Sequence, residues 1–135
     1  MRYVLDTTAF SAVMRRDTDL LTLLKGYRPA DIVTVPPVVA EIQFGIKRLD
    51  SSSKKCLLLM SERDRLLSII DILPWQPESS ERYGDIKADL ERRGKPIDDF
   101  DIAIAAIAMT HKCGVITANL KHFERIKDLE CKSWQ

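Results

Sequence analysis

Histidine occurs twice and cysteine three times in 135 residues, and neither is placed to bind zinc or to build a disulfide framework. There is no CxxC pair, and His111 and His122 complete no zinc spacing with Cys56, Cys113 or Cys131. An odd number of widely separated cysteines reads as ordinary thiols in a reducing compartment, so a cytoplasmic protein is expected. An excess of one charge is missing too: 21 basic residues face 20 acidic ones, for a net charge of +1. That excludes a nucleic-acid binder that is basic over its whole surface. It leaves room for a local basic face beside an acidic pocket. No apolar run is long enough to span a bilayer; the longest is Ile102 to Met109. Asp6 stands where a secretory signal would need apolar residues, so neither leader nor membrane segment is expected. The only low-complexity stretch, Ser51-Ser52-Ser53, reads as a turn rather than a linker, and no internal repeat is present.

What is there is a globular composition, 45% hydrophobic and 30% charged, of a length that suits one domain over residues 1–135. A chain of this size buries roughly two-thirds of its unfolded surface, enough for a core of its own. Tyr3-Val4-Leu5 is short, apolar and β-prone, and predicts a buried strand ended by Asp6. Thr7 or Thr8 is placed to cap a helix running to about Arg16, and a second short helix spans Thr18 to Lys25. Ile32 to Val35 predicts the next strand, and Pro36-Pro37 starts a helix to about Leu49. Further helices are expected at about Lys54 to Ile69 and from Ser79 or Ser80 to Gly94. Another should run from Asp98 or Asp99 to Cys113, with Gly114 as its stop. Strands are expected at Asp71 to Leu73 and Val115 to Thr117, then a short helix near Leu120 to Arg125 and an edge strand near Glu130 to Lys132. Strands alternating with helices imply an α/β sandwich in three layers. Its centre is a mostly parallel sheet of four or five strands.

Three acids sit where local patterning does not ask for them. Asp6 lies at the carboxyl end of the first strand, the edge where open α/β sheets bind ligands, although a helix cap is an equally good reading for a lone aspartate. Glu41 falls at the border of the apolar stripe Val38, Val39, Ile42, Ile46 and Leu49, and Gly45 one turn later leaves space beside it. Asp101 opens a helix that is otherwise almost wholly apolar, and a carboxylate near a buried helix is costly unless paired or metal-bound. Asp98 and Asp99, at the same helix start, are better read as cap and dipole partners. Together the three acids come from distant segments that an α/β sandwich brings to one side. Clustered carboxylates repel, and a hard divalent cation relieves them. With no histidine or cysteine adjoining them, Mg²⁺ is favoured over zinc, with Mn²⁺ as a substitute. Phosphodiester hydrolysis is a reaction that uses such sites.

These residues resemble the motifs of VapC-type PIN domains over essentially the whole chain. Tyr3-Val4-Leu5-Asp6-Thr7-Thr8 resembles the opening strand, and Ala40-Glu41-Ile42-Gln43-Phe44-Gly45 the second motif. Gly94 to Asp101 with Ile104-Ala105-Ala106 resembles the third motif, in which the acid just before the apolar helix is the metal ligand. Ile116-Thr117-Ala118-Asn119, Phe123 and Trp134 resemble the closing strand, helix and tail. The chain departs from the pattern at Thr8, usually Asn, at Asp98, often Gly, and at Asn119, often Asp. An Asn at the last position supplies no charge, which leaves open whether a second metal binds.

The resemblance implies a PIN-like fold and a Mg²⁺-dependent endoribonuclease, the toxin of a toxin–antitoxin pair. Asp6, Glu41, Asp101 and Asn119 are its catalytic residues. Asp6, Asp101 and Glu41 are the metal ligands, supported by Thr7, Thr8 and Asp99. It implies RNA as substrate, a VapB-like antitoxin as partner, a homodimer, and hetero-oligomers of toxin with antitoxin. Arg15, Lys47, Arg48 and Lys121 are candidates for steering RNA. Other readings are a PIN-like nuclease outside such a pair and a non-catalytic PIN scaffold. A phosphoacceptor receiver or aspartyl-phosphate phosphatase is the third, but the phosphatase wants Asp-x-Asp where the chain reads Asp6-Thr7-Thr8, and a receiver wants its acids on strands.

Overall fold

Tyr3–Leu5 forms β1, and all three residues are buried, as a strand covered on both faces must be. The computed structural model describes residues 1–135. Thr7–Met14 is α1, Thr18–Leu24 is α2, and a short 3₁₀ turn, Pro29–Asp31, leads into β2, Ile32–Thr34. Pro36–Lys47 is α3, Lys54–Leu67 is α4, Asp71–Ile72 is β3 and Pro77–Arg92 is α5. Asp99–Thr110 is α6, Gly114–Ile116 is β4, Leu120–Phe123 is α7 and Cys131–Lys132 is β5.

The sheet order is β3-β2-β1-β4-β5, with every neighbouring pair parallel. β1 is central. Val4 pairs with Val33 on one side and Val115 on the other. β2 and β4 are fully buried, whereas the edge strands β3 and β5 are exposed or half-exposed. One cluster of 30 buried residues joins the sheet to α1, α3 and α6. The expectation for α6 holds: Ile102, Ile104, Ala105, Ala106, Ile107 and Ala108 are all buried, because the helix lies against both the sheet and α5.

Three local expectations need correction. Asp6, not Thr7 or Thr8, caps α1; its Oδ1 accepts from Ala9 N at 2.8 Å. Asp98 occupies the N-cap position of α6 by its backbone, yet its side chain makes no capping bond. Gly114 does not stop α6. Lys112 takes the left-handed conformation there, φ 58°, and Gly114 begins β4. Its lack of a side chain has another cause: a Cβ would lie 2.5 Å from the ring of Tyr3. α1 ends two residues before Arg16, which itself turns left-handed at φ 57° and reaches Glu62 on α4 with a charged hydrogen bond of 2.7 Å.

Candidate active site

From β1 the chain builds outward through β2 and β3, then returns to the other side of β1 for β4 and β5. Growth of the sheet reverses between β1 and β4. The crevice outside the carboxyl ends of strands at such a reversal is where open α/β sheets take ligands. Asp6 follows β1 and Thr117 follows β4 directly. They meet: Thr117 Oγ1 donates to Asp6 Oδ2 at 2.5 Å.

Asp6 is 1% exposed and all its partners are neutral. Oδ1 accepts from Ala9 N and from Thr8 Oγ1, at 2.8 and 2.6 Å. Each threonine hydroxyl in turn accepts a backbone N–H, Ala118 N to Thr8 and Asn119 N to Thr117, both at 2.8 Å. Those bonds commit the hydroxyl protons to Asp6. Burial raises the Asp6 pKa above the ordinary carboxylate value, the hydrogen bonds oppose the rise, and the charge of Asp101 adds to it. Asp6 is therefore both a helix cap and a member of an acidic group.

Glu41, on α3, accepts a 2.5 Å bond from Thr7 Oγ1. Its pKa is raised by burial, and Asp101 and Asp98 push it further up. One turn on, Gly45 meets nothing within 4 Å of where a Cβ would be, so the space beside Glu41 is open. Asp101, in the first turn of α6, keeps 13% of its side chain exposed, and Oδ2 lies 3.0 Å from Nδ1 of His122. Burial raises its pKa, His122 opposes, and Asp98 adds to the rise.

The charge of Asp101 thus reaches both Asp6 and Glu41, which links the three acids electrostatically. No lysine or arginine pairs with any of them. As donors they are anionic oxygens, the type that suits a hard divalent cation. No three acidic, histidine or cysteine side chains are drawn together into a ready-made cage. The donor chemistry fits such an ion, and closing round it would fall to Glu41 and Asp101, each held by one side-chain hydrogen bond, rather than to Asp6, which is held by three.

The other expected residues divide. Thr7 and Thr8 bond Glu41 and Asp6. Asp99 points away, pairing with Lys87 of α5 at 3.0 Å. Asn119 stands at the start of α7 and lines a shallow polar recess of about 510 Å³ with Lys121, His122 and Ser133. Three residues at the site were not singled out from the sequence: Thr117, Asp98 as a neighbour of Glu41, and His122. Thr117 had a usable signal, since it follows a strand on the same sheet edge as Asp6. His122 had none, because only the fold brings it to Asp101, 21 positions earlier; it corrects the expectation that no histidine adjoins the three acids.

Beside Glu41 a groove of about 710 Å³ runs between α1, α3 and α4, with Glu41 and Asp98 at one end. Its walls carry Met14, Leu59 and Phe44 and the cations Arg15, Arg48 and Lys55, none paired with a carboxylate. The Arg48 guanidinium lies over the Phe44 ring at 5.7 Å. Of the candidate RNA-steering residues, Arg15 and Arg48 line this groove, Lys121 lines the polar recess, and Lys47 lines neither.

Residues 3–129 match the PIN domain family model. The chain is 30% identical over 135 residues to ribonuclease VapC2 of Haemophilus influenzae, covering 99% of this chain and 98% of that protein. It is 30% identical over 138 residues to ribonuclease VapC2 of Rickettsia felis, with the same coverage. In three dimensions it resembles a chain of the VapBC2 complex of Rickettsia felis bound to a DNA fragment from its promoter. The TM-score is 0.87 at 27% identity, and all of both chains is covered.

Proposed function

This chain belongs to the PIN domain family, in its VapC branch, and from that premise we propose that it is the ribonuclease toxin of a toxin–antitoxin pair, hydrolysing RNA at a Mg²⁺ site formed by Asp6, Asp101 and Glu41. The observation that carries the reading is three carboxylates, Asp6 at the sheet's reversal point and Asp101 and Glu41 linked to it through the charge of Asp101, each raised in pKa and none paired with a lysine or arginine. Such a set is a burden to the fold unless something positive binds there. A divalent cation, when bound, makes water a better nucleophile and neutralises charge developing on the phosphate. Asp6 is the fixed member, held by Thr8, Thr117 and the start of α1. Glu41 and Asp101 are the adjustable members. Asn119 adds no charge to this set. Arg15, Arg48 and Lys121 flank the crevice and draw the RNA backbone to it.

The partner is a VapB-like antitoxin with an apolar segment for the groove and an arginine for the acids. Guanidinium suits them because it stays charged and pairs with carboxylates bidentately. Homodimers and toxin–antitoxin hetero-oligomers belong to the same reading, as does a cytoplasmic setting, where Cys56, Cys113 and Cys131 stay unpaired.

The test incubates the purified protein with total RNA in Mg²⁺, in Mn²⁺ and in EDTA, and maps the ends produced. Cleavage in either metal and none in EDTA is expected. Equal cleavage in EDTA would overturn the metal site, and no cleavage in either metal would favour a partner-binding scaffold.

A further inference from the structure

His122 is carried by α7, a helix the fold holds in place. α7 has four residues, and two features fix it. Phe123 is fully buried in the core, and the turn before α7 is tied down by Asn119 N donating to Thr117 Oγ1 and His122 N donating to the Asn119 carbonyl. With α7 held at both ends, the imidazole falls against α6, where Nδ1 lies 3.0 Å from Asp101 Oδ2. An ionised carboxylate only accepts, so Nδ1 donates. Nε2 has no protein partner, and the ring forms part of the wall of the polar recess with Asn119 and Lys121.

This bond is the only side-chain hydrogen bond to the Asp101 carboxylate. Asp6 owes its orientation to three donors; Asp101 depends on one. Without His122 the Asp101 carboxylate is free to turn about its side-chain bonds, and any ligand that uses it must first order it. We propose that His122 is a positioning residue, which holds the Asp101 carboxylate in the orientation that receives the divalent cation and acts through Asp101 without touching RNA. The inference rests on the reading of Asp101 as a cation ligand. Partners that orient a ligand in this way typically change metal affinity by about 10–100-fold when removed.

The experiment uses full-length protein, His122→Ala and His122→Asn, with two readouts. One is the rise in melting temperature on adding Mg²⁺ alone; the other is cleavage of a fluorogenic RNA across a Mg²⁺ titration. His122→Asn keeps an N–H donor at nearly the position of Nδ1. For His122→Ala the Mg²⁺ midpoint is expected to rise about tenfold in both readouts, with cleavage at saturating Mg²⁺ within about threefold of wild type. His122→Asn is expected to recover most of the shift in midpoint. A His122→Ala midpoint equal to wild type would overturn the proposal, as would a midpoint in His122→Asn no better than in His122→Ala. Should His122→Ala fail to fold, a wild-type midpoint in the His122→Gln variant, which cannot place a donor at Nδ1, overturns it equally. A wild type with no Mg²⁺ effect on melting or cleavage removes the metal reading itself, an outcome distinct from loss of the His122 effect alone.

Discussion

Glu62 and Asp6 are both buried carboxylates, and the protein treats them in opposite ways. Glu62, on α4, is gripped by two guanidinium groups. Arg16 donates to Oε1 at 3.2 and 2.7 Å, and Arg65 donates to Oε2 at 3.1 and 3.0 Å. Those hydrogen bonds hold its pKa below the usual carboxylate range. Asp6 accepts three hydrogen bonds, all from neutral groups, and burial raises its pKa. The first carboxylate ties the turn after α1 to α4 and has no charge left over. The second, with Glu41 and Asp101, keeps its charge uncompensated at the edge where ligands bind. Burial alone does not distinguish the two acids; what differs is whether a cation is paired with the carboxylate.

Removing a charge from each region should separate the two roles. Asp101→Asn should lower RNA cleavage by about a thousandfold, because a metal-dependent reaction loses several kcal/mol of transition-state stabilisation with a ligand. Metal-free melting should stay unchanged or rise, since one of the mutually repelling charges is gone. A fluorogenic RNA assay beside thermal melting measures both, and cleavage at the wild-type rate would sink the assignment. Glu62→Gln should do the reverse. It strands two arginines and lowers the melting temperature, while the folded protein cleaves RNA normally. The loss should be modest, because the side chains of Arg16 and Arg65 are 65% and 49% exposed and water screens them.

Acid sharpens the same contrast. Asp6, Glu41 and Asp101 bind protons more readily in the folded protein than in the unfolded chain. Their ionisation therefore costs stability. That cost is absent below the ordinary carboxylate pKa of about 4 and grows as pH rises through their raised values. Glu62 has the opposite sign. Its contribution is complete above the ordinary value and is lost as pH falls through its lowered one. In metal-free protein, the melting advantage of Asp101→Asn over wild type should shrink as pH is lowered from neutral. The deficit of Glu62→Gln should close only below the ordinary carboxylate range. Melting curves from neutral to pH of about 3 test both, and an Asp101→Asn advantage that ignored pH would contradict the raised pKa.

The sheet was legible because β1, β2 and β4 are short β-prone apolar runs bounded by turn signals, the pattern of strands covered on both faces. The helices were legible within a few residues, and Asp6, Glu41 and Asp101 stood out because each conflicts with its local pattern. What escaped reading was what distant residues decide. The Glu62 pair spans 46 positions to Arg16, and its helix reads as an ordinary amphipathic surface. His122 and Thr117 reach Asp101 and Asp6 across 21 and 111 positions. Gly114 looked like a helix stop because the sequence does not show the Tyr3 ring against it. The Asp98 cap failed for the same reason: the local choice was visible, and the nearby acidic crevice that shares the side chain's space was not.

Asp98 gives the smallest expected effect and the finest test of where the two kinds of carboxylate part. It lies at the start of α6, makes no capping bond, and lines the groove with Glu41. Its charge raises the pKa of both Glu41 and Asp101 as a secondary contribution behind burial. Asp98→Asn removes that charge and keeps the shape. Both raised pKa values should then fall slightly, so more of each carboxylate is ionised at mildly acidic pH. Metal sites need deprotonated ligands, so the acid limb of the cleavage profile should move to lower pH by less than about one unit. Melting in metal-free protein should hardly change, because no cap is lost. Asp99→Ala is the control: its partner Lys87 is on α5, away from the crevice, and the acid limb should stay in place. The measurement is cleavage rate against pH at fixed Mg²⁺ for wild type and the two variants. If Asp98→Asn instead lowered melting and left the acid limb where it was, Asp98 would belong with the structural carboxylates and not with the crevice.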